Sequence, residues 1–188
     1  LIMKKLIIYF LTLPLLYGLN AQAVYQLDNG SSDMTVLGTS TLHDWESDVE
    51  VISGTASLTT EGNQLQELQE LNIIITVNSI KSGKSGMDKN TYNALKEKDF
   101  PKITYQLQSV ENITDTDVRT VGELTIAGSS NSKELITQYV VNGDAISFNG
   151  AITFNMSEFN IDPPTALMGT IKTGDEVTIS YDVIFNKN

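Results

Sequence analysis

Val177-Thr178-Ile179-Ser180-Tyr181-Asp182-Val183-Ile184-Phe185 is the stretch that decides the fold. Val177, Ile179, Tyr181, Val183 and Phe185 hold the odd positions, and Thr178, Ser180 and Asp182 stand between them. Side chains alternate faces along a strand, so this period of two reads as a strand with one face buried and the other wet. The same pattern runs from Ile146 to Met156. There Ile146, Phe148, Ile152, Phe154 and Met156 alternate with Ser147, Asn149, Thr153 and Asn155, and Gly150 stands in the apolar row. Less regular strands are readable over 34–41, 49–58, 71–80, 103–110, 118–127 and 135–141, with a short one over 24–28. Turn material separates them at Asp28-Asn29-Gly30, Glu61-Gly62-Asn63, Thr114-Asp115-Thr116-Asp117 and Asn142-Gly143-Asp144. Asn142-Gly143 predicts a two-residue hairpin of type I′.

One segment breaks the period. Between Ser85 and Lys98, Met87, Tyr92 and Leu95 fall near helical spacing, Ser85 or Asp88 is placed to cap the start, and Pro101 lies just past the end. The reading is one short helix inserted between two strands of an all-β chain. No repeat, low-complexity tract or linker divides the sequence, so eight or nine antiparallel strands form one body. A sheet that large with one apolar face pairs as a sandwich or closes as a barrel, and closure leaves no edge. Gly54, Gly122 and Gly150 sit in apolar strand rows. They either leave lumen space or relieve strain where a curved strand bends, and the bend is expected.

Composition points toward binding rather than catalysis. The 188 residues hold one histidine, one tryptophan and no cysteine, which largely closes the usual routes to a nucleophilic site or a transition-metal site. Lys4 and Lys5 precede an apolar run from Leu6 to Leu19, and Ala21-Gln22-Ala23 has the small-x-small form a signal peptidase reads. Residues 1–23 are therefore expected to be a signal peptide cut after Ala23, leaving one domain over 24–188. The apolar run, about 14 residues, is short of the roughly 20 needed to span a bilayer, and no cysteine follows it to carry a lipid. The product should be exported to the periplasm without stable membrane insertion. Losing Lys4 and Lys5 reduces the 12 basic residues to ten against 23 acidic ones, a formal charge near −13. Such a surface repels nucleic acid and anionic lipid headgroups.

Several segments together resemble the YceI-like proteins, a bacterial family of exported lipocalin-like barrels. Gly38-Thr39-Ser40-Thr41-Leu42-His43-Asp44-Trp45 and Val51-Ile52-Ser53-Gly54-Thr55-Ala56 resemble its opening. Val77-Asn78-Ser79-Ile80-Lys81-Ser82-Gly83, Met87-Asp88-Lys89-Asn90, Ala94-Leu95-Lys96 and Phe100-Pro101-Lys102-Ile103-Thr104-Tyr105 are similar to its strand, helix and return strand. Gly122-Glu123-Leu124-Thr125-Ile126-Ala127-Gly128 and Gly174-Asp175-Glu176-Val177-Thr178-Ile179 match later landmarks, so the likeness spans the expected mature chain in order. The resemblance implies an extended eight-stranded antiparallel lipocalin-like β-barrel whose lumen takes a polyisoprenoid, an isoprenoid quinone or a fatty amide. This chain departs from the family at two places. Met87-Asp88-Lys89-Asn90-Thr91 stands where many members carry Arg-Asp-x-His-Leu, and Ala127-Gly128-Ser129-Ser130-Asn131-Ser132 where many carry His-Gly-Val-Thr-Lys-Pro. The departures imply a different headgroup or no ligand.

The candidate ligand-binding set follows from the alternation and the resemblance. Ile73, Ile75, Val77, Leu124, Ile126, Phe148, Ile152, Phe154, Val177, Ile179 and Tyr181 are expected to face inward. Met87, Tyr92, Leu95 and Phe100 form either a lid over one mouth or the face by which a helix packs on the barrel. Met87, Met156 and Met168 suit variable apolar shapes, and Asp162-Pro163-Pro164 is stiff enough to shape a mouth. His43 either hydrogen-bonds a ligand's polar end or ties its loop to the backbone, the second being expected. Trp45 either closes a barrel end or packs in the core, and core packing is expected. No catalytic residue, metal or cofactor is predicted. Asp115 and Asp117 sit in a turn and Asp48 and Glu50 on a wet face, so no carboxylate pair is singled out for hydrolysis. The expected function is a periplasmic carrier of a long apolar molecule. The alternative is a ligand-free module, structural or protein-binding, with its oligomeric state open and a homodimer included.

Overall fold

The computed structural model describes residues 22–166 and 168–188; the expected leader over 1–23 lies outside them but for Gln22 and Ala23. In chain order the elements are β1 (Ala23–Leu27), β2 (Asp33–Ser40), β3 (Trp45–Val49), β4 (Ile52–Glu61), β5 (Gln64–Thr76), β6 (Ile80–Lys81), the helix α1 (Ser85–Ala94), β7 (Lys102–Ile113), β8 (Asp117–Ile126), β9 (Ser129–Asn142), β10 (Ala145–Asn155), β11 (Thr165–Ala166) and β12 (Ile171–Lys187). Hydrogen bonding joins β1, β4, β5, β7, β8, β9, β10 and β12 in that order, and β12 returns to β1. The expected eight-stranded antiparallel barrel with one inserted helix is the observed fold. Closure runs through Tyr25↔Lys187, Gln26↔Asn186 and Leu27↔Phe185.

Three further strands carry the walls beyond this ring at one end. β2 pairs with β12, β3 with β2, and β6 with β3. Hence β1 and β2, β3 and β4, and β5 and β6 are three long walls, each broken once. The breaks are a 3-10 turn at Asn29–Ser31, the pair Glu50 and Val51, and a second 3-10 turn at Val77–Ser79. A break in a ladder strands backbone donors and acceptors, and buried ones must find other partners. Asn29 supplies them for the middle wall: its Nδ2 donates to the Glu50 carbonyl at 3.1 Å, and its Oδ1 accepts from the Ile52 amide at 2.6 Å. The buried Ser79 does the same from the other side, its hydroxyl accepting from the Val51 amide at 3.1 Å and donating to the Thr76 carbonyl at 2.7 Å. One polar belt therefore holds three kinks in register.

The alternation read in β10 and β12 sets the core. Ile146, Phe148, Phe154, Val177, Ile179, Val183 and Phe185 are all buried. At the end holding β1 and the β9–β10 turn, Phe148 and Phe185 meet edge to face with centroids 5.8 Å apart. Leu58, Ile146 and Phe185 are fully buried there, and the Tyr139 hydroxyl donates to the Thr114 carbonyl at 2.7 Å. This end is packed like an ordinary core.

Two of the strand glycines seat aromatic rings, a role beyond the expected bend. A Cβ on Gly122 would stand 2.2 Å from Cζ of Tyr105, and one on Gly150 would stand 2.6 Å from Oη of Tyr181. Both are seats for tyrosine rings lying across from the neighbouring strand, an arrangement that lets a glycine row stay packed. Gly38 seats Trp45 in the same way. Gly54 differs: its Cβ would meet the Asn72 carbonyl at 2.6 Å, so the close neighbour is backbone. The β9–β10 hairpin also departs from expectation. Asn142 pairs with Ala145, which makes Gly143 and Asp144 the central residues, and only Gly143 has positive φ. That is the type II′ pattern rather than type I′. The I′ pattern occurs instead at Ala127 and Gly128, where φ is 49° and 82°.

Replacing a ring seat should be costly. Gly122→Ala and Gly150→Ala are each expected to destabilise the barrel by about 1–3 kcal/mol through overpacking. Gly86→Ala, in the first turn of α1 with no atom within 4 Å of the added methyl, should instead stabilise by up to about 1 kcal/mol. Urea unfolding midpoints of the three variants give the signs directly.

Candidate functional site

Above the packed end the barrel is hollow. The inner part is a narrow cavity of about 90 Å³, and the outer part, on the side of α1, is a cavity of about 410 Å³ open to solvent. Ile179 lines both, so it marks the waist between them.

Successive inward positions of single strands reach successive depths. In β12 the series runs from Val177 in the outer cavity through Ile179 at the waist to Tyr181, Val183 and Phe185 on the inner one. In β10 Phe154 faces the outer cavity, and Ile152 and Phe148 the inner. In β8 the pair is Ile126 outside and Leu124 inside. Ile73 and Ile75 of β5 line the inner cavity. Val77, which was expected to follow them, is 1 % exposed in the 3-10 turn and stands outside both walls.

The inner cavity carries four hydroxyls that scarcely show at its surface. Tyr181 Oη lies 2.7 Å from Thr137 Oγ1, and Tyr105 Oη lies 3.2 Å from Thr120 Oγ1. In each pair one hydroxyl donates to the other, and the wall they leave is almost wholly apolar. Burial pushes both phenols above the usual tyrosine range, with the threonine hydrogen bonds opposing it in part.

The mouth is built from four pieces. The first is α1, whose inner stripe of Met87, Asn90, Thr91, Ala94 and Leu95 follows helical spacing. The helix is tied down by Asp88 and Tyr92. The Asp88 carboxylate accepts from the Ser82 amide at 2.8 Å and the Ser82 hydroxyl at 2.5 Å, and these bonds hold it below the usual carboxylate range. Tyr92 does not line the lumen; its hydroxyl lies 2.9 Å from the Ile80 carbonyl and accepts from Lys81 Nζ at 2.8 Å. That hydrogen bond raises Lys81 above the usual lysine range. Phe100 stands outside the cavity too, half-exposed, with its ring over Gly128. Of the expected lid residues, Met87 and Leu95 face the lumen, and Tyr92 and Phe100 fasten the helix and its exit.

The second piece is the loop with Leu42, His43 and Trp45 on the wall. The Ser40 hydroxyl donates to the His43 carbonyl at 2.7 Å and accepts from the amides of Leu42 and His43, each at 3.2 Å. His43 Nδ1 lies 2.5 Å from the Asp44 carbonyl, so the ring ties its own loop while still bordering the cavity. Trp45 Nε1 donates to the Thr39 carbonyl at 2.9 Å, leaving its apolar body to the lumen.

The third piece is Met156 and the chain after it. Phe159 is fully buried and meets Phe154 edge to face at 5.1 Å, and Lys133 lies over both rings while pairing with Glu158. That pairing lowers Glu158 below the usual range. Ile161 and Pro164 complete this side, and the Pro164 carbonyl accepts from the Thr173 amide at 3.1 Å. The fourth piece is the β11–β12 hairpin, with Ile171 on the wall and Met168 outside it. Pro164 belongs to the stiff Asp162-Pro163-Pro164 stretch expected to shape a mouth, whereas Ile161 and Ile171 carry no periodic signal. Asn90, Thr91 and Ala94 do share the helical spacing of Met87 and Leu95, which a full helical projection would have shown.

Among the described residues no group of three or more His, Asp or Glu could hold a metal ion, and no helix is long and apolar enough to cross a membrane. The lumen is able to take an apolar ligand. A family model described as a YceI-like domain matches residues 25–185. Among solved structures, Burkholderia cenocepacia BcnA superposes with a TM-score of 0.70 at 17 % identity, covering 84 % of this chain and 98 % of that one. A polyisoprenoid binding domain from Saccharophagus degradans, implicated in plant cell wall breakdown, gives 0.67 at 12 % identity over 89 % of this chain and all of that one. The Campylobacter jejuni YceI protein gives 0.56 at 21 % identity over 65 % and 74 %. At these identities the likeness carries the fold. No curated protein matches the chain.

The two buried phenols make alkaline pH a probe of the lumen. Their folded pKa lies above the unfolded value of about 10, so their contribution to stability is complete below that pH and is lost as pH rises through the folded value. Absorbance titration is expected to show two tyrosines ionising late, together with unfolding. Tyr181→Phe should remove one late step and flatten the alkaline loss of stability.

Proposed function

Since the chain belongs to the YceI-like family, we propose that it is an exported carrier that holds one long apolar molecule of the polyisoprenoid, isoprenoid quinone or fatty amide class. The observation that carries the reading is the graded lumen, almost wholly apolar in its inner part and edged with polar groups at the mouth, with Ile179 lining both compartments. A volume of about 410 Å³ at the mouth falls within the roughly 300–1,000 Å³ usual for ligand sites. The hydrocarbon end goes inward, because the inner wall is almost wholly apolar and its four hydroxyls turn toward one another in pairs. The polar end stays at the mouth among His43, Lys84, Asn90 and Thr91. Each methylene buried contributes about 0.8 kcal/mol, so a dozen give roughly 10 kcal/mol before the costs of ordering. Selection is then by length and width. The description of the Saccharophagus degradans domain as polyisoprenoid binding supports this ligand class. Residues 1–23 are the proposed leader, and the periplasm the proposed location.

Native mass spectrometry of the protein recovered from a bacterial periplasm without detergent tests the proposal. The expected result is a chain beginning at Val24 with one discrete adduct that extracts as a single long-chain species. Ile179→Trp, which fills the waist, should weaken retention of long chains at least about tenfold, the equivalent of 1.4 kcal/mol, and spare short ones. A bare mass that persists after incubation with quinones, prenols and fatty amides would sink the carrier reading and favour the interaction module.

A further inference from the structure

The mouth carries two apolar side chains, Leu42 at the edge of the cavity wall and Met168 beyond it, that the fold leaves in water. Leu42 is 66 % exposed and Met168 is fully exposed. Their loops are neighbours: the Thr41 amide donates to the Lys172 carbonyl at 2.9 Å, and the Lys172 amide donates to Thr41 Oγ1 at 3.2 Å. Met168 also has φ of 56°, a left-handed conformation that costs a side chain with a Cβ roughly 1–2 kcal/mol. A strained, exposed methionine at a hairpin tip lowers stability and exposes apolar surface to water.

Charge is distributed unevenly about the same end. Residues 81–102 hold six of the chain's 12 basic residues, Lys81, Lys84, Lys89, Lys96, Lys98 and Lys102. Lys84, Lys89, Lys96 and Lys98 are exposed. Lys89 lies off the inner stripe of α1, and Lys96 and Lys98 follow its end. The acidic turns with Glu61, Asp115, Asp117 and Asp144 are at the packed end. A 17-residue β12 rises about 56 Å along its length, or roughly 40 Å along a barrel axis when tilted. That is several times the Debye length of about 8 Å at physiological salt. A surface at the mouth therefore experiences the lysines of α1 together with Lys133 and Lys172, set against Asp44, Asp88, Glu97, Asp99, Glu158, Asp162 and Asp175, and scarcely the acidic end.

We propose that the protein docks mouth-first on an anionic lipid bilayer, with Leu42 and Met168 entering the headgroup layer and the lysines around α1 meeting its phosphates. Docking is weak and reversible, since two small apolar anchors and a few cations give a marginal hold. This inference goes beyond ligand carriage and is read without reference to any bound ligand.

Flotation of the full exported protein with phosphatidylcholine vesicles, with and without phosphatidylglycerol, tests it. Binding to the phosphatidylglycerol vesicles should fall at least about tenfold for Leu42→Asp/Met168→Asp, and by a similar factor for Lys89→Glu/Lys96→Glu. Ile136→Asp/Val140→Asp, at exposed apolar sites on the outer face of β9, should bind as the parent does. All these sites are on the surface, and unchanged thermal unfolding confirms that each variant is folded. No binding to phosphatidylglycerol vesicles, or equal losses in the β9 control, would overturn the proposal. Binding that survives the Leu42 and Met168 substitutions would overturn it equally.

Discussion

The structure depends on β12 being hydrogen-bonded along both edges. One edge takes β10 from Ala145↔Asn186 to Asn155↔Glu176; the other takes β2 and then, past the kink, β1. A strand paired on both sides has no freedom to turn over, so from Val177, past the bulge that follows Thr173, its alternate residues are committed to the interior through Phe185. That one strand therefore samples every level of the interior. Phe185 belongs to the solid floor, Tyr181 and Val183 to the narrow compartment, Ile179 to the waist and Val177 to the mouth. The pattern of one nine-residue stretch thus reports both the fold and the taper of its cavity.

A cavity is packing that has been given up, and the molecule recovers that loss elsewhere. Empty volume in a core costs contacts and stability. Here the floor is closed by Leu58, Ile146 and Phe185, all fully buried. The kinked walls are held by Asn29 and Ser79, and Lys133 braces Phe154 and Phe159 at the rim. The tyrosines seated on Gly122 and Gly150 narrow the lumen between these regions. Their hydroxyls are turned to Thr120 and Thr137, so aromatic bulk is used for shape without leaving a polar group at the wall. Without a disulfide, this division between solid floor and hollow mouth must be maintained by packing and hydrogen bonds alone.

What was legible in the sequence was what has a period. β10 and β12 show theirs because each has one wet face, and the inserted helix showed itself by interrupting it. The breaks between β1 and β2, β3 and β4, and β5 and β6 were not legible, because a kink that preserves the inward face leaves the hydrophobic pattern almost continuous. Bulges hide similarly: the register shift between Ser57 and Leu58 leaves Gln69 of β5 unpaired, and nothing in Leu68-Gln69-Glu70 announces it. The ring seats at Gly122 and Gly150 were not legible, because they depend on a ring in a neighbouring strand, a relation that exists only once the register is known. The Asn142-Gly143 pair names a turn correctly, but whether it opens as I′ or II′ is decided by which residues the flanking strands claim. Tyr92 and Phe100 were rightly attached to the helix, but spacing cannot tell a side chain that lines a lumen from one that fastens its wall.

The departures from the family pattern take on a physical meaning at the rim. On the inner face of α1 this chain presents Met87, Asn90 and Thr91, and the resemblance puts the first two where many members of the family carry arginine and histidine. Lys89, between them in sequence, lies off that stripe and is exposed. Asp88 is spent on Ser82. The helix thus divides its chemistry, with neutral residues toward the lumen and cations away from it. A charged group drawn into an apolar cavity needs a fixed partner to offset its desolvation, and among the described residues the lining provides only Lys84, at the exposed edge, as a lysine or arginine. On the proposed reading, a ligand's polar end is recognised by amide, hydroxyl and imidazole groups and remains close to water. Its long apolar remainder provides the affinity, and the lysines outside are left to act on whatever surface the mouth approaches.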